Sequence, residues 1–229
     1  MQIGSFAVKL ICISWALLMN AAVAMPTLSP FINELHYDNA GSDRDEFIEV
    51  AGTPQSLRGF SLVLYNGGSG TSYRNIPLDA DIPDEGNGFG AVAFFVNGLQ
   101  HGPADGIALL DQFDRVLDWL SYEGAILGQN GAVMGLLSDA IDVFEAPATL
   151  PGLSLQRSGL GSMANDFGWV GPVASSPGTI NAGQRWAVPV AINEPHPLPL
   201  LGIGLLLVWI GAYRNALNSR RREVNTGSV

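Results

Sequence analysis

Asp38, Asn39, Asp43, Asp45 and Glu46 sit within one short stretch, Asp38-Asn39-Ala40-Gly41-Ser42-Asp43-Arg44-Asp45-Glu46. Hard cations such as Ca²⁺ collect roughly six to eight oxygens from carboxylates, amides and carbonyls. The stretch is therefore a candidate Ca²⁺ loop, and Ca²⁺ is the one cofactor the sequence suggests. Its spacing is not that of an EF-hand, because the D-x-D-x-D-G order and the distal Glu are missing. The alternative is a solvated turn, with Asp38 and Asn39 bonding nearby backbone and Arg44 offsetting charge. Asp79, Asp81, Asp84 and Glu85 form a second acidic turn open to the same two readings.

Other constellations are thinner. Glu46 and Glu49 are three apart on an extended run, so they point to opposite faces and make no acid/base pair alone. Glu34 and Glu46 meet only if their strands pair, and two adjacent carboxylates cost energy unless a cation or proton lies between them. His36 and His101 have no metal-ligand spacing and read as ordinary strand or loop histidines. No G-x-S-x-G element, P-loop or dinucleotide fingerprint occurs. Trp119, Tyr122, Trp169 and Trp186, with Tyr65 and Tyr73, form either a sugar-stacking platform or, as aromatics in a sandwich usually do, core.

The elements that position these residues are short and apolar. Runs at 31–37, 46–50, 60–65, 90–96, 106–111, 116–122 and 153–157 are rich in Ile, Val, Leu and aromatics. Turn clusters such as Asp38-Asn39-Ala40-Gly41, Asn66-Gly67-Gly68 and Pro103-Ala104-Asp105-Gly106 separate them. That spacing predicts an all-β sandwich. Phe47, Ile48 and Val50 interleave with Glu46 and Glu49, which predicts a strand with one wet face. Residues 129–144 are expected to form a helical turn or irregular loop.

Both ends read as addresses. Lys9, the apolar run 10–19 and Ala22-Val23-Ala24 make a signal peptide over 1–24, cut by signal peptidase after Ala24. The only cysteine, Cys12, lies inside it, so the mature chain is expected to carry no disulfide or thiolate site. Residues 25–188 form one domain, and 189–197 form a Pro-rich stalk. The uncharged run 198–213 is a short candidate transmembrane helix, and 214–229 a basic tail that the positive-inside rule keeps cytoplasmic. Residues 25–195 hold 20 acidic side chains against 6 arginines and no lysine. A surface this acidic repels nucleic acid and anionic lipid, and suits cations, cationic partners or neutral sugars.

Asn193-Glu194-Pro195, the apolar run and Arg220-Arg221-Arg222 together resemble the PEP-CTERM sorting tail of exosortase substrates, with Asn193 where that family has its first proline. The resemblance implies an exosortase-like processing enzyme as partner. It also implies an inner-membrane intermediate, then release to the surface or matrix of a Gram-negative bacterium that makes exopolysaccharide. Ile32-Asn33-Glu34-Leu35-His36-Tyr37-Asp38-Asn39, Glu46-Phe47-Ile48-Glu49-Val50 and Leu57-Arg58-Gly59-Phe60-Ser61-Leu62 resemble the opening of a lamin-tail domain. Gly102-Pro103-Ala104-Asp105-Gly106-Ile107-Ala108-Leu109 and Ser176-Pro177-Gly178-Thr179-Ile180-Asn181 are similar to later signatures of its secreted bacterial branch. That resemblance spans roughly residues 31–185 and implies an immunoglobulin-like β-sandwich. The expected function is non-enzymatic adhesion, binding to exopolysaccharide or envelope components, or structure. The rival is a Ca²⁺-dependent extracellular hydrolase, or its accessory subunit, using the Asp38–Glu46 loop.

Overall fold

A computed structural model describes residues 28–86, 88–187, 208–215 and 218. The expected signal peptide, with Ala24, and the sorting residues Asn193, Glu194, Pro195, Arg220, Arg221 and Arg222 lie outside the described residues. So do the whole stalk, 189–197, and the first part of the expected transmembrane run. The chain divides into one unit over Ala24–Pro189 and a second made of its two terminal segments. In the second, residues 208–215 are helical, and Trp209 stacks on Tyr213 one turn later with ring centroids 5.6 Å apart. Among the described residues, no helix is long and apolar enough to cross a membrane.

The first unit is all-β. Its strands are β1 (Phe31–His36), β2 (Phe47–Gly52), β3 (Gln55–Ser56), β4 (Ser61–Asn66), β5 (Thr71–Pro77), β6 (Asp81–Ile82) and β7 (Gly90–Phe95). They continue with β8 (Asp105–Leu110), β9 (Val116–Tyr122), β10 (Asp139–Ala140), β11 (Leu153–Gly161), β12 (Gly168–Ala174) and β13 (Gln184–Trp186). One sheet runs β12-β11-β1-β2-β7, with β13 parallel to the far end of β11. The other runs β10-β9-β8-β4-β5, and β3 and β6 form a small ribbon. All seven expected runs appear as strands with small boundary shifts. The expected irregular stretch contains a 3₁₀ turn at Gly131–Val133 and the two-residue β10.

Ile32, Leu35, Ile48 and Val50 of the first sheet meet Leu62, Leu64, Ile107, Leu109 and Leu120 of the second in one buried cluster. Ile32 and Leu35 are three apart and would face opposite ways on a regular strand. A register shift between Ile32 and Glu34 absorbs the extra residue, so both reach the core while Asn33 bulges.

The expected wet face of β2 is not wet: every residue from Phe47 to Gly52 is buried. The reason is that both sheets are covered on their outer faces as well. The 176–181 segment lies over Glu34 and Glu49, bonded to both. On the other sheet, Ile126 and Val133 pack with Val63, Tyr65, Ala108, Leu110 and Trp119 in a second apolar cluster.

A buried ion pair joins the sheets. Arg157 on β11 places Nη2 3.2 Å from Asp118 Oδ2 on β9, and its Nε donates to Ile32 O at 2.8 Å. The guanidinium also lies over the rings of Phe31 and Trp169.

Candidate functional site

Register decides which acids meet. β1 and β2 pair Glu34 with Glu49, not with Glu46. Glu34 Oε1 accepts from Ser154 Oγ (2.6 Å), Gln156 Nε2 (3.1 Å) and Ser176 N (2.8 Å), and Oε2 accepts from Ser176 Oγ (2.9 Å). Glu49 accepts from Asn33 Nδ2 (2.9 Å) and Gly178 N (2.7 Å). Burial pushes the Glu49 carboxyl up to about 8, despite those two bonds, and the nearby Glu34 charge adds to the rise. The rise favours the protonated form of Glu49, which relieves the repulsion between the adjacent carboxyls. The motif residues that resembled a site are the fastening of the 176–181 segment. Asn181 completes it, donating to Asn33 O and Arg157 O.

The second acidic turn is used in the same way. Glu85 accepts from Ala91 N and Ile180 N, Asp84 Oδ1 accepts from Gly86 N and Gly88 N, and Asp79 pairs with Arg58 at the surface. Among the described residues these acids do not gather as metal ligands.

The Asp38–Glu46 stretch divides. Glu46 accepts from the backbone N–H of Gly98 and Leu99, which pins the segment after β7 beside the one before β2. Burial pushes its carboxyl up against the pull of those amides. Asn39 Nδ2 donates to Arg44 O (2.9 Å) and faces His36 Nε2 (3.0 Å), and its Oδ1 is buried with no hydrogen-bond partner among the described residues. Asp45 is exposed, with φ of 58°. Asp38 and Asp43 do come together, and they are joined by His101, whose Nε2 is 3.3 Å from Asp43 Oδ2. One ligand atom from each of the three lies within 4.8 Å of the others.

His101 had no local signal. It joins the group because β2 and β7 are antiparallel, with Phe47 opposite Phe95, so the segments flanking them meet. His36 is fastened instead: its Nδ1 is 2.8 Å from Glu145 Oε1, while Glu145 Oε2 accepts from Tyr37 N (2.7 Å) and Asp38 N (2.9 Å). Burial pulls the His36 imidazole down, but the Glu145 carboxylate, with the Arg44 carbonyl and the Glu46 charge, leaves it raised overall.

Of the six aromatics, Tyr65, Trp119 and Tyr122 are buried, and Tyr73, Trp169 and Trp186 are half-buried. Trp119 meets Tyr65 edge-on at 5.0 Å, Tyr122 stacks on Tyr37 at 4.1 Å, and Trp186 stacks on Phe89 at 4.2 Å. They are packing residues rather than an exposed platform. An open groove of about 610 Å³ lies against β4 and β5, lined by Val63, Tyr65, Ser72, Asn75, Leu110 and Asp114 among others. No protein-family model, curated protein or solved structure matches this chain.

Proposed function

We propose that the chain is an exported, non-enzymatic binding or structural module, an immunoglobulin-like sandwich of the lamin-tail kind. A PEP-CTERM-type tail carries it to the cell surface or matrix. One observation carries the reading: Glu34, Glu49, Glu46 and Glu85, acids that the motifs single out, and Glu145, which they do not, use their oxygens to fasten one backbone segment to another. A carboxylate engaged in that way is a poor general base or nucleophile. The acidic surface and the mixed lining of the β4–β5 groove favour a neutral saccharide over nucleic acid.

The test is expression of the full chain in an exopolysaccharide-making Gram-negative host, followed by mature mass, compartment and co-sedimentation with the polymer. Cleavage near Glu194-Pro195 and pelleting that disappears when the polymer is digested support the proposal. A product that keeps residues 198–229 in the inner membrane overturns the sorting half. Metal-dependent hydrolysis of polysaccharide or nucleic acid, lost in Asp43→Ala, overturns the non-enzymatic half in favour of a Ca²⁺-dependent hydrolase.

A further inference from the structure

We propose that Asp38, Asp43 and His101 bind a divalent cation of the borderline class, Zn²⁺ in preference to Ca²⁺. The inference stands apart from the sorting and adhesion reading and requires neither.

Three observations carry it. First, the separation is right: tetrahedral ligands about 2.0–2.1 Å from a zinc ion lie roughly 3.4 Å from one another. His101 Nε2 and Asp43 Oδ2 already stand at 3.3 Å, and all three ligand atoms are within 4.8 Å. Asp43 and His101 are exposed and free to close the remaining distance.

Second, Asp38 is 4% exposed, yet among the described residues its carboxylate accepts no hydrogen bond; its backbone N–H is the group that bonds, to Glu145. That carboxylate lies within reach of Asp43 and His101, so a cation held there would supply the partner it lacks. Next to it, Asn39 Oδ1 is a buried oxygen with no partner among the described residues.

Third, the frame is prebuilt. Glu145 holds the backbone at Asp38, and Glu46 holds the Gly98–Leu99 backbone that leads to His101. Backbone fixed in this way lowers the ordering cost on the Asp38 and His101 sides, and the Asp43 and His101 side chains supply the adjustment.

The donor set chooses the metal. Imidazole nitrogen with two carboxylates suits zinc-like ions, whereas Ca²⁺ takes oxygen ligands and needs more of them than this group offers. Two carboxylates neutralise the ion's charge, and the exposed side leaves coordination positions to water. A bound ion would tie the β1–β2 connection to the β7–β8 connection.

The experiment uses the full chain, stripped with chelator, then dialysed against Zn²⁺, Mn²⁺ or Ca²⁺, with metal per chain and thermal unfolding both measured. The expected result is one retained Zn²⁺ and a raised unfolding temperature. His101→Gln and Asp43→Asn should each weaken binding at least about tenfold and abolish the thermal shift. Asp45→Asn, outside the group, should change neither. Both informative variants are at exposed positions, so the test does not depend on whether Asp38→Asn folds. Zn²⁺ retention equal in wild type and His101→Gln, or no retention at all, overturns the site. Tighter binding of Ca²⁺ than of Zn²⁺ overturns the choice of metal.

Discussion

Arg157 and Asp118 show what one buried pair does for this molecule. Burial pushes the Asp118 carboxyl up and the Arg157 guanidinium down, so desolvation outweighs their mutual attraction in each. The pair persists because it has further work: Asp118 Oδ2 accepts from Ile32 N at 3.0 Å, and Arg157 Nη1 donates to Ala164 O at 2.7 Å. Arg157→Ala leaves Asp118 buried and unpaired and should cost roughly 3–5 kcal/mol, read from denaturant unfolding. Asp118→Asn with Arg157→Met should cost less than Arg157→Ala alone, because no charge is then stranded.

Glu49 gives a pH signature. Its pKa is raised by folding, so between the ordinary value of 4.5 and about 8 the folded chain binds a proton that the unfolded chain has lost. Its contribution is full below the unfolded value and is lost as pH rises through about 8. Glu49→Gln should flatten the fall in unfolding midpoint from mildly acidic to mildly alkaline pH. A fall unchanged in the variant would assign it to other buried acids such as Asp118, whose shift has the same sign.

At the scale of elements, the cover over the second sheet depends on Gly106 in β8. A Cβ there would stand 2.6 Å from Ile126 and 2.8 Å from Trp119. Gly106→Ala should force the 126–133 cover outward, costing roughly 1–3 kcal/mol with a change in tryptophan fluorescence. Gly168→Ala on β12, where nothing lies within 4 Å, is the near-neutral control.

The elements also show what the sequence makes legible. Seven strands were readable because their apolar runs are long enough to announce themselves. β5 (TSYRNIP) and β12 (GWVGPVA) were not, because one is polar and ends in proline and the other carries glycine and proline, as edge strands often do. The wet face expected of β2 failed for a different reason: the segment that covers it comes from residues 176–181, and periodicity within a strand carries no information about a distant cover. The candidate metal group was half legible. Asp38 and Asp43 share a loop, but His101 arrives only through the β2–β7 pairing, and Glu46 proved to be the residue that arranges that meeting.

At the scale of the whole molecule, acids outnumber bases 21 to 11. Its formal charge of −10 is carried with only 11 basic residues, several of them in the terminal segments. Like charges on a compact body repel, and salt screens them. Raising ionic strength from low to physiological should therefore raise the unfolding temperature, and the protein should not be retained on a nucleic-acid matrix. Retention there would mean that the net charge misrepresents the surface.

The fastening of the 176–181 segment has a consequence for the order in which the chain is made. Glu34 waits for Ser176, a partner 142 residues later, and Glu49 waits for Gly178, 129 residues later. A chain that lacks those residues leaves both glutamates without the backbone amides that fasten them in the folded unit. The chain up to residue 175 holds the strands of the first sheet through β12 but lacks the segment that covers them. Closure of the first sheet is thereby reserved for a chain that extends past Gly178, and one terminated earlier keeps two acids without the amides that fasten them.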